Sequence, residues 1–137
     1  NLRKRHRQML KSKGKAVKSY WVEHKGKRVF IADYSGFGMD ANGLKQEADK
    51  AMETLQKEPP NSVLTISNVT GTTASLENIK ILESVLPHTN KHVKKRCVIG
   101  VEGMRWYFVD KLNEITGAAK LEAFSNLEEA LEWIVKE

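Results

Sequence analysis

The chain has 137 residues, of which 40% are hydrophobic and 29% are charged, a composition typical of a single soluble globular domain. No apolar run approaches the ~20 residues that a membrane-spanning helix needs, which excludes an integral helical membrane protein. The single cysteine, Cys97, excludes an intramolecular disulfide framework and a multi-cysteine zinc site. The basic amino end lacks the apolar segment of a secretory signal, so we expect a cytoplasmic protein. The first residue is Asn rather than Met, which is compatible with a fragment of a longer protein.

The net charge of +6 is concentrated at the amino end of the chain. Residues 1–19 contain eight basic residues and no acid, which leaves 15 of the 23 basic residues to balance all 17 acidic ones. We interpret residues 1–19 as a flexible basic arm and residues 20–137 as the folded domain. By charge alone, such an arm can make weak contacts with nucleic acid or anionic lipid, here through Arg3, Lys4, Arg5 and Arg7. The alternative is a solvated tail or linker.

The first part of the domain predicts a hairpin followed by a helix. Residues 20–25 and 28–34 are strand-like runs separated by a short Gly-Lys turn. The loop from Ser35 to Gly38 leads to Asp40 and Asn42, either of which can cap the next helix. That helix has an apolar face at helical spacing, made of Leu44, Ala48, Ala51, Met52 and Leu55.

The middle of the chain predicts a central strand that leads into a second helix. Residues 62–69 form an uncharged, β-branched run of the kind buried on both faces of a sheet. The second helix has apolar residues at helical spacing, with Ser75 and Asn78 at its start and Pro87 expected to end it. Its inward residues are predicted to be Leu76, Ile79, Leu82, Val85 and Leu86.

The last third predicts two more strands and two more helices. Cys97 to Ile99 reads as a buried strand, residues 103–117 as a helix, and residues 119–124 as a short strand. Ser125 and Asn126 favour a capped helix start, and the inward face of that helix would be Leu127, Ala130, Leu131 and Ile134. The order β-β-α-β-α-β-α-β-α predicts a single α/β domain with a mainly parallel sheet and an antiparallel edge strand.

The loop at residues 70–76 is the strongest candidate for polar chemistry. It places Thr72, Thr73 and Ser75 between a buried strand and a helix start, where free N–H groups and the helix dipole favour an anion. One of these hydroxyls is therefore a candidate anion ligand or phosphorylation site. The alternative is structural, with Ser75 as the helix cap and Thr70 and Thr72 building the turn.

Other motifs are weaker, and we expect no catalytic residues, no cofactor and no metal. Residues 36–41 fit the G-x-G-x-x-A pattern of dinucleotide sites, but the next strand ends in Ser67-Asn68-Val69 without the required acid. A flexible loop is the preferred interpretation. His88 and His92 lack a third metal ligand. Together with neighbouring basic residues, His92 is interpreted as part of a solvated basic loop.

Aromatic residues outside the apolar face of the third predicted helix suggest a partner surface. Trp106 and Tyr107 lie off the face formed by Met104, Phe108 and Leu112, and such aromatics often mark binding surfaces. The alternative is that they cover the rim of the core. The complete set of candidate surface residues is Phe37, Met39, Met104, Trp106 and Tyr107.

The order of elements and two local matches resemble the STAS / SpoIIAA-like family of anti-sigma-factor antagonists and sulphate-transporter tails. The strand at residues 63–69 and its Ser/Thr loop are similar to the family's switch region, and residues 123–134 resemble its closing F-x-x-x-E-E-A-L-x-W-I/L pattern. The resemblance covers about residues 20–137. Antagonists carry Asp-Ser-Ser-Gly-Leu where this chain has Thr-Thr-Ala-Ser-Leu at residues 72–76, so the acid and the glycine are missing. Ser75 aligns best with the phosphorylated serine, and Thr73 is second.

The resemblance implies a non-enzymatic regulatory or protein-interaction module, switched by phosphorylation in the loop at residues 70–76. One alternative is a small-ligand or lipid-type binding domain with a pocket between sheet and helices. The other is an enzyme acting on an anionic substrate at the same helix start.

Overall fold

The computed structural model describes residues 18–101 and 122–137, and in these ranges it contains five strands and three helices. The strands are β1 (Tyr20–His24), β2 (Lys27–Asp33), β3 (Val63–Asn68), β4 (Val93–Ile99) and β5 (Glu122–Phe124). The helices are α1 (Ala41–Gln56), α2 (Leu76–Thr89) and α3 (Leu127–Ile134). The predicted helix at residues 103–117 and the first residues of the predicted strand at 119–124 lie outside the described residues.

All five strands form one mixed sheet in the order β1-β2-β3-β4-β5. β1 pairs with β2 antiparallel, and the remaining neighbours are parallel, so that Ile31 lies beside Ile66 and Ile66 beside Cys97. Two of the parallel pairs, β2 with β3 and β3 with β4, are joined through α1 and α2, because a parallel neighbour cannot be reached by a tight turn. For the described strands, this pairing confirms the prediction of an α/β domain with a mainly parallel sheet and an antiparallel edge strand.

The hairpin turn lies one residue earlier than predicted. Lys25 and Gly26 have φ values of 51° and 81°, and β2 begins at Lys27. Two successive residues with positive φ are the mark of a type I′ turn, whose twist matches that of the flanking strands. Glycine supplies the second of these conformations without steric cost.

The core lies on both faces of the sheet because the side chains of each buried strand alternate between them. Phe30 and Ala32 of β2 face α1 and α2, whereas Val29 and Ile31 face α3. On the first face, apolar residues of the two long helices pack against the sheet, among them Leu44, Ala48, Ile79 and Leu82. On the second face, Ala130 and Ile134 of α3 cover Ile66 and Cys97. The described part of the domain is therefore a three-layer sandwich of helices, sheet and helix.

Two predictions about α2 are wrong. The helix does not end at Pro87 but continues to Thr89, with Pro87 inside its last turn. Proline removes one backbone donor, but the Thr89 hydroxyl donates to the Val85 carbonyl at 3.1 Å and the Asn90 N–H to the Leu86 carbonyl at 2.9 Å. Leu76 was predicted to face the core, yet it is 67% exposed, because the first residue of the helix projects beyond the edge of the sheet.

The packed part of the chain includes two residues assigned to the basic arm. Ser19 is buried, and its backbone N–H and hydroxyl both donate to the carboxylate of Glu47 in α1. Order was predicted to begin at Tyr20, yet Lys18 and Ser19, the first two described residues, already make contacts with Glu47. No helix in the described ranges is long and apolar enough to cross a membrane.

Candidate functional site

Two loops meet at the carboxyl ends of β2 and β3, and we call residues 35–40 and 70–76 the paired loops. Gly36 N–H donates to the Thr70 carbonyl at 2.8 Å, and Gly38 N–H donates to the Gly71 carbonyl at 2.9 Å. In return, Thr73 N–H donates to the Gly38 carbonyl at 3.0 Å. These backbone bonds extend the pairing of the two strands beyond their ends, so the loops form one hydrogen-bonded unit.

Thr72 links the two loops through its side chain. Its hydroxyl donates to the carbonyl of Tyr34 and accepts from the N–H of Phe37 at 3.1 Å. Because both functions of the hydroxyl are engaged, Thr72 holds the geometry of the turn. This agrees with the alternative in which Thr72 builds the turn and does not bind an anion.

Ser75 is the N-cap of α2. Its backbone is extended, with φ −72° and ψ 159°, and its hydroxyl accepts from the N–H of Asn78 at 3.1 Å. An oxygen at this position satisfies one of the free N–H groups of the first helical turn. The remaining oxygen lone pair and the proton of Ser75 are not used in any hydrogen bond within the described ranges.

Thr73 is the most accessible of the three candidate hydroxyls. The residue is exposed, and only its backbone joins the network, as a donor to Gly38 and as an acceptor from Asn78. The structure thus separates three roles that the sequence left together. Thr72 is a structural bridge, Ser75 is a helix cap, and Thr73 has a free side chain within the described part.

Asn78 fastens the paired loops to α2. It is 1% exposed, and its side-chain amide donates to the carbonyls of Gly38 at 3.0 Å and Thr73 at 2.9 Å. Its Oδ1 has no hydrogen-bond partner in the described part of the chain. A buried amide that donates to both loops restricts their motion relative to the helix. Sequence analysis placed Asn78 at the helix start but did not assign it this role.

The glycine-rich loop does not have the free donors of a dinucleotide site. Gly36, Phe37 and Gly38 donate their N–H groups to the facing loop. At the start of α1, the carboxylate of Asp40 accepts from Gly43 N–H at 3.0 Å and so occupies the place where a pyrophosphate would lie. The preference for a loop over a dinucleotide site is supported, but the loop is tightly hydrogen-bonded rather than flexible.

The exposed apolar groups of the described ranges lie on the paired loops. Met39 is 69% exposed and Leu76 is 67% exposed, and these are the two exposed large hydrophobic residues in that part of the chain. Phe37 is half-buried against the core, and the Lys18 ammonium lies 4.5 Å from its ring centroid. The other surface candidates, Met104, Trp106 and Tyr107, lie outside the described residues, as do Arg3, Lys4, Arg5 and Arg7.

Gly100 brings the end of β4 against the same site. Its φ is 83°, and a Cβ added there would lie 2.6 Å from the backbone nitrogen of Thr70. Only glycine allows this approach, because it adopts positive φ readily and has no Cβ. The positions of Gly100 and of the paired loops are therefore coupled.

The residues of the predicted basic loop are not all solvated. His92 is 7% exposed, and its Nδ1 lies 2.7 Å from the carbonyl of Glu58. Arg96 donates to Asn90 Oδ1 at 2.8 Å and to Thr89 Oγ1 at 2.9 Å, at the carboxyl end of α2 where a cation is favoured. Burial lowers the pKa of Arg96 to about 10. Within the described ranges, no group of three or more His, Cys, Asp or Glu side chains is placed to hold a metal ion.

Sequence analysis also missed Glu47, which is 4% exposed. It lies on the apolar face of α1, three residues after Leu44 and four before Ala51, and this position in the helical repeat is the signal that could have identified a buried carboxylate. Its hydrogen-bond partners could not be identified from the sequence, since they lie 28 and 29 residues away.

Comparison with protein-family models gave no match to this chain, and a search of curated proteins gave none either.

Proposed function

We propose that this chain is a non-enzymatic protein-interaction module whose partner binds at the paired loops. The observation that carries the proposal is the position of Met39 and Leu76. Both side chains are more than 60% exposed, and they flank the same hydrogen-bonded unit. Large apolar side chains held in water on a rigid surface are typical anchors for a protein partner.

The internal hydrogen bonds of the paired loops support recognition rather than chemistry. The N–H groups of Gly36, Phe37 and Gly38 and the hydroxyl of Thr72 are all engaged within the protein. Such groups cannot bind a substrate without breaking existing bonds. They do fix the loops in one conformation, and a preorganised surface loses less entropy when a partner binds.

The proposal includes membership of the STAS / SpoIIAA-like family. It is supported by the sequential strand order with an antiparallel first strand, and by the position of the hydroxyl-rich loop between β3 and α2. It is also supported by α3, which has Asn126 as its side-chain cap and covers the face of the sheet opposite α1 and α2.

The partner that fits this surface is a folded protein with an apolar patch that covers Met39 and Leu76. Phosphorylation of Thr73 or Ser75 would then act as a switch. A phosphate beside the start of α2 is stabilised by the helix dipole, but it places negative charge next to Leu76 and opposes burial of that side chain.

The experiment compares two double variants. M39S/L76S removes the apolar anchors, whereas E53S/K80S changes two exposed residues away from the loops and leaves the net charge unchanged. We expect a partner that binds the unmodified protein to bind E53S/K80S equally and M39S/L76S at least about tenfold more weakly, since anchor side chains typically contribute more than ~1 kcal/mol each. Equal affinity for both variants, with thermal unfolding showing that both are folded, would refute the proposal.

The switch has its own test. Incubation with ATP and kinase-containing cell extract should incorporate phosphate at Thr73 or Ser75, as mapped by mass spectrometry, and the T73A/S75A variant should incorporate none at this loop. Phosphate at Thr72 instead would contradict the assignment, because that hydroxyl is engaged with Tyr34 and Phe37.

A further inference from the structure

A cleft with a volume of about 730 Å³ lies at the opposite end of the sheet from the paired loops. Residues from the amino ends of β2, β3 and β4 line it. The rest of the lining comes from the segment after α1, with Glu58, Pro59 and Ser62, and from the carboxyl end of α3 and the residues after it, with Ile134, Lys136 and Glu137. We call it the amino-end cleft. Its volume is within the range of small-molecule sites, roughly 300–1,000 Å³.

The side chains around the amino-end cleft are predominantly basic. Five cationic side chains line it against two carboxylates: Lys27, Arg28, Lys94, Lys95 and Lys136 against Glu58 and Glu137. In a concave site, an excess of one sign of charge concentrates the field and attracts the opposite sign. Residues 18–137 as a whole hold slightly more acidic than basic side chains, so this excess is a local property of the cleft.

Two of the lysines hold the end of α3. Lys95 donates to the carbonyls of Trp133 at 2.6 Å and Lys136 at 3.0 Å, and Lys27 donates to the carbonyl of Val135 at 2.9 Å. Desolvation lowers the pKa of Lys95, Cys97 raises it, and the charges of Lys27 and Lys136 lower it. The Lys27 ammonium also lies 3.4 Å from the Glu137 carboxylate, so its charge is already paired.

The other cations extend toward the solvent. Lys94 is exposed, and its ammonium makes no hydrogen bond or ion pair with any residue in the described ranges. Arg28 lies over the ring of Trp21, with its Cζ 3.9 Å from the ring centroid, and is also 3.4 Å from Glu58. The cleft thus combines an ammonium group that is unpaired within the described ranges with an aromatic ring that carries a guanidinium over its face.

We propose that the amino-end cleft binds a small anionic molecule that carries a phosphate or carboxylate group on an apolar or aromatic body. Lys94 and Lys136 would contact the anionic group, because the lysines beneath them are already engaged with α3. The body would lie against Trp21 and Pro59. This site is separate from the paired loops and from the pocket between sheet and helices that the sequence suggested for a small ligand.

The probe is 1-naphthyl phosphate, added to ¹⁵N-labelled protein at constant ionic strength. We expect saturable shifts of the backbone amides of Gly26, Ser62 and Lys94, with Gly38 and Thr73 unchanged. Inorganic phosphate and 1-naphthol are tested separately, and each should bind at least about tenfold more weakly, because each supplies only one of the two contacts. Phosphate that binds as tightly as naphthyl phosphate would overturn the claim of an apolar body.

A pair of charge-reversal variants locates the anion. K94E should weaken binding by roughly three- to tenfold, as expected for reversal of one exposed charge, while K80E on α2 makes the same charge change outside the cleft and should leave it unaltered. Equal loss in both variants, shifts that do not saturate, or shifts concentrated at Gly38 and Thr73 would overturn the proposal. M39S/L76S should bind naphthyl phosphate normally, so this test and that of the paired loops can fail independently.

Discussion

The hydroxyl of Ser19 donates to the carboxylate of Glu47 at 2.7 Å, and the backbone N–H of Ser19 donates to the same oxygen at 2.9 Å. The Ser19 hydroxyl also accepts from the N–H of Asp33 at 2.9 Å. One buried carboxylate of α1 thereby joins the segment before β1 to the end of β2. Hydrogen bonds, rather than apolar contacts, therefore hold the segment before β1 and the end of β2 to α1 at this point.

Replacing Glu47 by alanine should lower the free energy of unfolding by about 2–3 kcal/mol, because the buried donors of Ser19 lose their acceptor. The matched control is E53A on the same helix. Glu53 is exposed, so its replacement should change stability by no more than about 0.5 kcal/mol. Urea unfolding of both variants gives the comparison, and equal losses would show that the Ser19 contact contributes nothing.

Alanine substitutions at two glycines should differ in cost although their backbone conformations match. Gly26 has φ 81° and free space around it, whereas Gly100 has φ 83° and lies against Thr70. Strain at positive φ costs each variant about 1 kcal/mol, and G100A should lose roughly 1–3 kcal/mol more through the clash. Chemical unfolding measures both variants. If G26A and G100A were equally stable, the close approach of Gly100 to Thr70 would be disproved.

The three hydroxyls of the loop at residues 70–76 should contribute unequally to stability. S75A removes a helix cap and should cost about 1 kcal/mol, and T72V should cost about 1–3 kcal/mol because it leaves two loop groups unpaired. T73A should change the free energy of unfolding by less than about 0.5 kcal/mol. Urea unfolding measures the three variants. The assigned roles would be contradicted if T73A lowered the free energy of unfolding most.

Cys97 should resist thiol reagents in the folded protein. Burial raises its pKa to about 12, because desolvation disfavours the thiolate, while the Lys95 charge offsets part of this rise. At pH 8 we expect a disulfide-exchange reagent to react at least about 100-fold more slowly with the native chain than with the chain in denaturant. Comparable rates would show that the thiol is accessible.

The raised pKa of Cys97 predicts how the free energy of unfolding depends on pH. Well below pH 9 the thiol is protonated in both states, and as pH rises through the ordinary thiol pKa of about 9 the unfolded chain loses a proton that the native chain keeps. The free energy of unfolding should therefore fall as pH rises from 9 to 10, by at most about 1.4 kcal/mol per pH unit from this group. C97A should show a shallower fall over that interval, measured by urea unfolding at each pH, and identical slopes would contradict the assignment.

The sequence by itself determined much of the local structure in the described ranges, although the hairpin turn and the end of α2 differ from the prediction. The hydrophobic repeats predicted α1, β3 and α3, and Ser75 and Asn126 cap helices where the sequence indicated. Such features depend on a few neighbouring residues, since periodicity decides which side of an element is apolar and a cap binds N–H groups two or three residues away. The mainly parallel sheet with an antiparallel edge strand followed from the same local patterns together with the preference for neighbouring, parallel connections.

Only the tertiary structure decided which polar and apolar groups meet across the sheet. Contacts between residues far apart in sequence produce the bond from Thr72 to Tyr34 and the burial of Glu47 beneath Ser19. The exposure of Leu76 depends on where the helix ends relative to the sheet. The amino-end cleft likewise arises because β2, β3 and β4 are parallel neighbours whose amino ends meet, and the residues there are basic in β2 and β4. Sequence periodicity records the face of an element on which a residue lies, whereas the packing of distant segments determines what covers that face.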